Sequence, residues 1–138
     1  MTELELVRKK LSLIETCVRE IREMARPAEI QTDLFQQRFV ERTLLIAIQA
    51  SLDAAAHIVA DEHLGEPRTN RELFELLGSN GWIPPELVDL LRRMVGFRNI
   101  LVHGYEIVDP AVVEQVVRER LDDLLTFVAA LRERLSAG

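Results

Sequence analysis

With 138 residues, the chain has the length of one domain that can bury a hydrophobic core. Hydrophobic residues make up 48% and charged residues 29%, a balance that excludes a disordered chain. The net charge of −6 argues against non-specific coating of nucleic acid, which needs many Lys and Arg, but it allows a small basic site. The single cysteine, Cys17, excludes an internal disulfide and a cysteine-based zinc cluster.

The N-terminal sequence and the apolar runs predict a cytoplasmic protein that makes no contact with a membrane. Acidic Glu3 and Glu5 stand where a signal peptide would carry basic residues. Uninterrupted apolar runs such as 44–48 and 100–102 are far shorter than the roughly 20 residues of a membrane span.

Apolar residues at alternating steps of three and four predict a chain built of α-helices. Capping boxes that begin at Thr2 and Thr69, together with the pair Asp109-Pro110, mark three helix starts. In chain order, helices are predicted over about 2–26, 32–62, 69–77, 85–103 and 110–135. Since no strand pattern or repeat is present, we expect a single all-α domain over residues 1–138, an up-and-down helical bundle of four long helices plus one short helix.

Polar chemistry concentrates in segment 98–105, where Arg98, His103 and Tyr105 end a long apolar helix that Gly104 is expected to stop. RNA supplies its own nucleophile, the ribose 2′-OH, so cleavage needs only a proton-exchanging group and a cation for the phosphorane. A histidine side chain ordinarily exchanges protons near neutral pH, so His103 suits the first role, and Arg98 suits the second. Residues five apart in a helix point about 140° from each other, so their convergence requires the helix to loosen near its end.

Arg92 and Arg93 stand one to two turns before Arg98 and could guide the RNA backbone, because residues 90–105 hold three arginines and no acid. A structural role stays open beside catalysis. An arginine near a helix end often serves the helix dipole or an ion pair, and a lone histidine such as His103 is usually structural.

A second polar feature is the stripe of Asp53, His57 and Asp61, which recur every four residues on the second helix. Two carboxylates and one imidazole match no strong metal-ligand pattern, so a solvated or dimer-facing stripe is favoured over a metal site. A role for Asp53 in lining the active cleft stays open.

The pattern Arg98-x4-His103-x-Tyr105 resembles the R-x4-H-x-Y signature of the HepT-like toxins within the HEPN superfamily. Asn99, directly after the arginine, matches the common form of that motif. The helix order, the length and the stretch 49–57 also look like this family. The resemblance covers nearly the whole chain, and the signature carries no gap or substitution.

The resemblance implies a homodimeric bundle in which the two R-x4-H motifs share one cleft. It implies a metal-independent endoribonuclease that leaves a 2′,3′-cyclic phosphate, without a cofactor, as the toxin of a type VII-like toxin–antitoxin system. Its partners would be RNA and an MNT-type nucleotidyltransferase antitoxin, in a dimer open to assembly into a larger heteromeric complex. The antitoxin would neutralise the toxin by AMPylation of the motif tyrosine.

Carried over to this sequence, the resemblance makes His103 the acid/base, Arg98 the phosphate-binding residue and Tyr105 the AMP acceptor. Residues that could support the site are Asn99, Asp53, Arg92 and Arg93. One alternative is a non-catalytic helical subunit that holds substrate or nucleotide for a nucleotidyltransferase. Another is a dimeric helical adaptor in which Arg98 and His103 are structural.

Overall fold

The computed structural model describes residues 3–103 and 108–137. These residues form six α-helices and one 3-10 turn, and no strand occurs among them. The helices are α1 (Glu3–Met24), α2 (Leu34–Asp61), α3 (Asn70–Ser79), α4 (Pro85–His103), α5 (Pro110–Glu119) and α6 (Leu121–Ala137), with the 3-10 turn at Pro27–Glu29. The predicted all-α class is therefore confirmed.

The predicted last helix is in fact two helices, so the count of four long helices plus one short one was wrong. The chain bends at Arg120, whose φ of −117° departs from helical geometry although its N–H still bonds to the carbonyl of Val116. The bend lets α5 pack on α2 and on the 3-10 turn while α6 packs on α1. Apolar periodicity continues across Arg120, which is why the pattern alone predicted one helix.

Side chains cap the helix starts that local sequence predicted. The Thr69 hydroxyl accepts a hydrogen bond from the N–H of Glu72 at 3.3 Å, and the Asp109 carboxylate accepts one from the N–H of Ala111 at 2.9 Å. These contacts satisfy backbone donors that a helix start leaves without a partner. The capping box predicted at Thr2 lies outside the described residues.

The central helix of the bundle is α2, which contacts five other elements, among them α1, α3 and α4. By length and composition α2 could cross a membrane, although it contains no long uninterrupted apolar run. However, 61% of its most apolar window is buried by the other helices, as is usual for the core helix of a bundle. The fully buried large side chains of the core, from α2 and the helices around it, include Leu11, Ile14, Leu44, Ile48, Leu91, Leu124, Phe127 and Leu131.

Two helix pairings bring distant polar residues together. Lys10 of α1 contacts Asp53 of α2, while the carbonyl of Met24 accepts a hydrogen bond from Gln36, so α1 and α2 run antiparallel. The C-terminal half of α4 also lies against α2, where Arg98 contacts Gln49. The bundle thus places residues of α1, α2 and α4 side by side near the end of α4.

Candidate active site

Arg98 lies five residues before the end of α4 and is half-buried against α2. Its Nε and Nη2 both donate to the Oε1 of Gln49, at 3.2 and 2.8 Å. Its Nη1 donates to the Oδ1 of Asn99 at 3.1 Å. Two neutral amide oxygens therefore fix the guanidinium, and one of them belongs to Asn99, a residue predicted to support the site.

Gln49 is itself held from its other side. Its Nε2 donates to the Oδ1 of Asp53 at 3.0 Å, and the Oδ2 of Asp53 lies 3.2 Å from the Nζ of Lys10. We call the five residues Lys10, Asp53, Gln49, Arg98 and Asn99 the Arg98 network. It connects α1, α2 and α4 through half-buried side chains.

His103 occupies the last position of α4 and is exposed. The helix remains regular up to His103, so the loosening expected before this residue does not occur. In a regular helix Arg98 and His103 point about 140° apart, and the two groups do not converge within one chain. Gly104 and Tyr105, the predicted helix stop and AMP acceptor, lie outside the described residues.

The last two turns of α4 expose a continuous arc. Taking Arg98 as 0°, a regular helix puts Val102 at about 40°, Asn99 at about 100°, His103 at about 140° and Ile100 at about 200°. Ile100 is 55% exposed and Val102 is 44% exposed. The motif side chains thus stand among apolar side chains that the single chain leaves uncovered.

Arg92 and Arg93 are not brought to Arg98. The Nε of Arg92 lies 3.1 Å from a carboxylate oxygen of Glu75 in α3, and the Nη2 of Arg93 lies 3.0 Å from Asp89. In a regular helix they point about 120° and 140° away from Arg98. The positive island predicted over residues 90–105 is therefore reduced by acids that lie outside that window.

The polar stripe of α2 divides into separate environments. Asp53 belongs to the Arg98 network, whereas the Nδ1 of His57 lies 2.6 Å from Glu3, one turn further along. Asp61 is exposed and lines a cavity of about 380 Å³ that also touches Glu3 and His57. Within residues 3–103 and 108–137, no three His, Cys, Asp or Glu side chains are grouped to hold a metal ion.

Two network members, Gln49 and Lys10, were not among the candidate site residues. Gln49 lies four residues before Asp53, so the stripe of Asp53, His57 and Asp61 extended back by one turn would have included it. For Lys10 the sequence offers no comparable signal, because its contact depends on how α1 packs against α2.

Comparison with known proteins identifies the family. The model of the ribonuclease HepT-like family matches residues 14–131. The chain is 31% identical to the mRNA nuclease HepT of Shewanella oneidensis over 129 residues, which cover 93% of this chain and 97% of that protein. It is 33% identical to the tRNA nuclease HepT of Aphanizomenon flos-aquae over 100 residues, 72% of this chain and 68% of that one.

Solved structures agree with these sequence matches. The tri-AMPylated HEPN toxin of Shewanella oneidensis, in complex with its MNT antitoxin, superposes with a TM-score of 0.87 at 30% identity, covering 96% of this chain and 99% of that chain. The predicted resemblance is thereby confirmed, and the matches to nucleases support an enzyme rather than a non-catalytic subunit. The chain belongs to the ribonuclease HepT-like family.

Proposed function

We propose that this chain is the toxin of a toxin–antitoxin pair and that it cleaves RNA as a homodimer. The observation that carries the proposal is the exposed arc of α4. It presents the Arg98 guanidinium, held by neutral oxygens, together with the imidazole of His103. A cation that binds phosphate and a group that exchanges protons are what transesterification of RNA requires.

In the proposed reaction, the ribose 2′-oxygen attacks the adjacent phosphorus and the bond from phosphorus to the 5′-oxygen breaks. A base takes the proton of the 2′-OH, and an acid gives a proton to the departing 5′-oxygen. The products are a 2′,3′-cyclic phosphate and a free 5′-OH. His103 carries the proton transfers, and Arg98 stabilises the negative charge that develops on the phosphorane oxygens.

A second copy of the chain would complete this site. Within one chain Arg98 and His103 point apart, whereas a two-fold interface at the end of α4 brings two copies of the motif into one cleft. One His103 can then act as base and the other as acid. The exposed side chains of Ile100 and Val102 supply apolar surface beside the motif for such an interface.

We further propose that a nucleotidyltransferase partner neutralises the toxin by transferring AMP to Tyr105. The support is the related toxin of Shewanella oneidensis, which is AMPylated and bound to an MNT antitoxin. Tyr105 stands two residues after His103 in the sequence. Each added AMP would bring bulk and one phosphodiester negative charge to the place where RNA phosphate must bind.

His103→Ala tests the catalytic role. Loss of an acid–base group typically lowers a rate by about 10²–10⁴-fold, so RNA cleavage and growth inhibition should both be lost. Because His103 is exposed, the circular dichroism spectrum and the dimer mass should not change. Cleavage is measured with chelator present, and the cyclic-phosphate ends are identified by mass spectrometry.

His63→Asn is the matched control. His63 is also exposed, but it follows α2 at a positive φ of 52°, a conformation that asparagine tolerates. This variant should cleave RNA at the wild-type rate. A His103→Ala protein that remained fully active and toxic would refute the assigned mechanism.

Tyr105→Phe tests the modification site. Tyr105 is the only tyrosine of the chain, so the variant offers no phenol to the partner enzyme. Incubation with the partner and ATP should add mass in AMP steps to the wild type and none to the variant. Equal labelling of both proteins would place the AMP on another residue.

A further inference from the structure

Arg98 differs from the other arginines near the site in the kind of partner that holds it. Arg92 and Arg93 each lie against a carboxylate, at 3.1 and 3.0 Å. Arg98 is held instead by the amide oxygens of Gln49 and Asn99. The acid of the Arg98 network, Asp53, bonds to the amide nitrogen of Gln49.

A neutral partner has a specific consequence for anion binding. A carboxylate on the guanidinium would cancel much of its charge and compete with phosphate, whereas an amide oxygen fixes its orientation and leaves its charge in place. Arginine has five N–H donors, of which three go to Gln49 and Asn99 within the described residues. The remaining two, one on each terminal nitrogen, are the number that a bidentate phosphate contact uses.

The rest of the network sets the direction of the Gln49 amide. Because its Nε2 donates to Asp53, its Oε1 must face Arg98; the reverse orientation would place an N–H donor against the guanidinium. Lys10, 3.2 Å from Asp53, offsets the negative charge of that carboxylate. Asp53 therefore orients the amide of Gln49, and that amide in turn contacts Arg98.

We propose that Gln49 is a positioning residue that holds Arg98 as an uncompensated cation for RNA phosphate, and that Asp53 and Lys10 fix the orientation of its amide. The inference rests on the proposed function in one respect only, the assignment of Arg98 to phosphate binding. Gln49 does not touch the substrate in this account; it acts through Arg98.

The double variant Gln49→Glu/Asp53→Asn tests this proposal. It keeps the net charge and the side-chain sizes. The amide introduced at position 53 can donate to the carboxylate at position 49, which reverses the direction of that hydrogen bond, and its oxygen can still accept from Lys10. Only the negative charge moves, from position 53 to the side chain that touches Arg98. The melting temperature should stay the same or rise, while kcat/KM for RNA should fall by at least about 10-fold, the loss expected for one charge-assisted hydrogen bond.

Two further variants test whether a fall in kcat/KM comes from the position of the negative charge or from a general disturbance of the structure. Asp53→Asn alone weakens the orientation of the Gln49 amide but places no negative charge on Arg98, so kcat/KM should fall less than it does in the double variant. The pair Gln31→Glu/Glu114→Gln makes the same exchange in another amide–carboxylate hydrogen bond, of 2.9 Å, and should leave cleavage unchanged.

A second readout needs no RNA cleavage. Inorganic phosphate, compared with chloride at equal ionic strength, should raise the melting temperature of the wild type more than that of Arg98→Gln. The double variant at positions 49 and 53 should behave like Arg98→Gln. If phosphate stabilises the wild type no more than Arg98→Gln, or if the double variant responds and cleaves like the wild type, the role of Gln49 is refuted. A wild type that responds to phosphate but cleaves no RNA would refute the proposed function and leave the role of Gln49 intact.

Discussion

The exposed side chain of Ile100 makes the proposed dimer directly testable through Ile100→Gln. Burying a whole isoleucine contributes ~1.5–3 kcal/mol. Since Ile100 is 55% exposed in the single chain, covering it contributes about 1 kcal/mol. A two-fold interface contains two copies, hence about 2 kcal/mol, which corresponds to a rise of about 30-fold in the dimer dissociation constant. Glutamine adds an amide that must lose water, so about 30-fold is a lower limit.

Sedimentation velocity over a range of protein concentrations measures this constant, and RNA cleavage is followed over the same range. Cleavage per chain should fall at low concentration and recover at high concentration. Glutamine brings no charge to the RNA site, so a loss of activity reports on assembly. Met24→Gln is the control, because Met24 is 52% exposed and lies 14 residues after Lys10, about 21 Å along α1. An Ile100→Gln protein that dimerises and cleaves like the wild type would show that the end of α4 is not the interface.

Two predictions concern the bundle itself. Gly78→Ala would bring its Cβ into overlap with Cγ2 of Val88, a stiff β-branched side chain. Overpacking should therefore outweigh the gain in helix propensity and lower the free energy of unfolding by about 1 kcal/mol. Urea unfolding measures this free energy. Adding Val88→Ala to the Gly78→Ala protein should reverse much of the loss. A Gly78→Ala protein as stable as the wild type would contradict the close packing. The paired hydrogen bonds from Arg132, both 2.7 Å, lower the pKa of Glu15. A carboxylate whose pKa is lowered on folding stabilises the folded state at pH values above its unfolded pKa. A double-mutant cycle of Glu15 and Arg132 should therefore give about 0.5–1 kcal/mol of coupling at pH 7. This coupling should disappear as the pH falls through the lowered pKa of Glu15. Coupling that does not change with pH would contradict this account.

Local sequence signals predicted most of the fold. The second helix was expected over about 32–62 and the fourth over 85–103, and the structure has them at Leu34–Asp61 and Pro85–His103. Caps, prolines and apolar periodicity act within a few residues, so one sequence suffices to locate such helices. The position of Arg98 and His103 at the end of α4 followed from the same signals.

Contacts between helices could not be predicted in this way. Gln49 meets Arg98 across 49 residues of sequence, and the contact depends on how α2 and α4 are rotated against each other. The partner of Arg92 comes from α3 for the same reason, so the lack of acids within residues 90–105 overstated the free positive charge. The direction of the Gln49 amide also depends on Asp53, for which the sequence suggested a solvated stripe or a cleft-lining role but no contact with Gln49.

The way Arg98 is held explains how an acidic chain could both bind RNA and be switched off by a small modification. With a net charge of −6, the protein offers little general attraction for a polyanion, so binding must come from local contacts such as Arg98. Its neutral partners Gln49 and Asn99 leave that single charge effective. For the same reason, one phosphodiester charge on Tyr105 would suffice to compensate the positive charge of Arg98 in its own chain. A broadly basic surface would need many added negative charges to be compensated. On the proposed function, the arrangement that makes Arg98 an effective phosphate ligand is also the one that makes AMPylation an effective inhibitor.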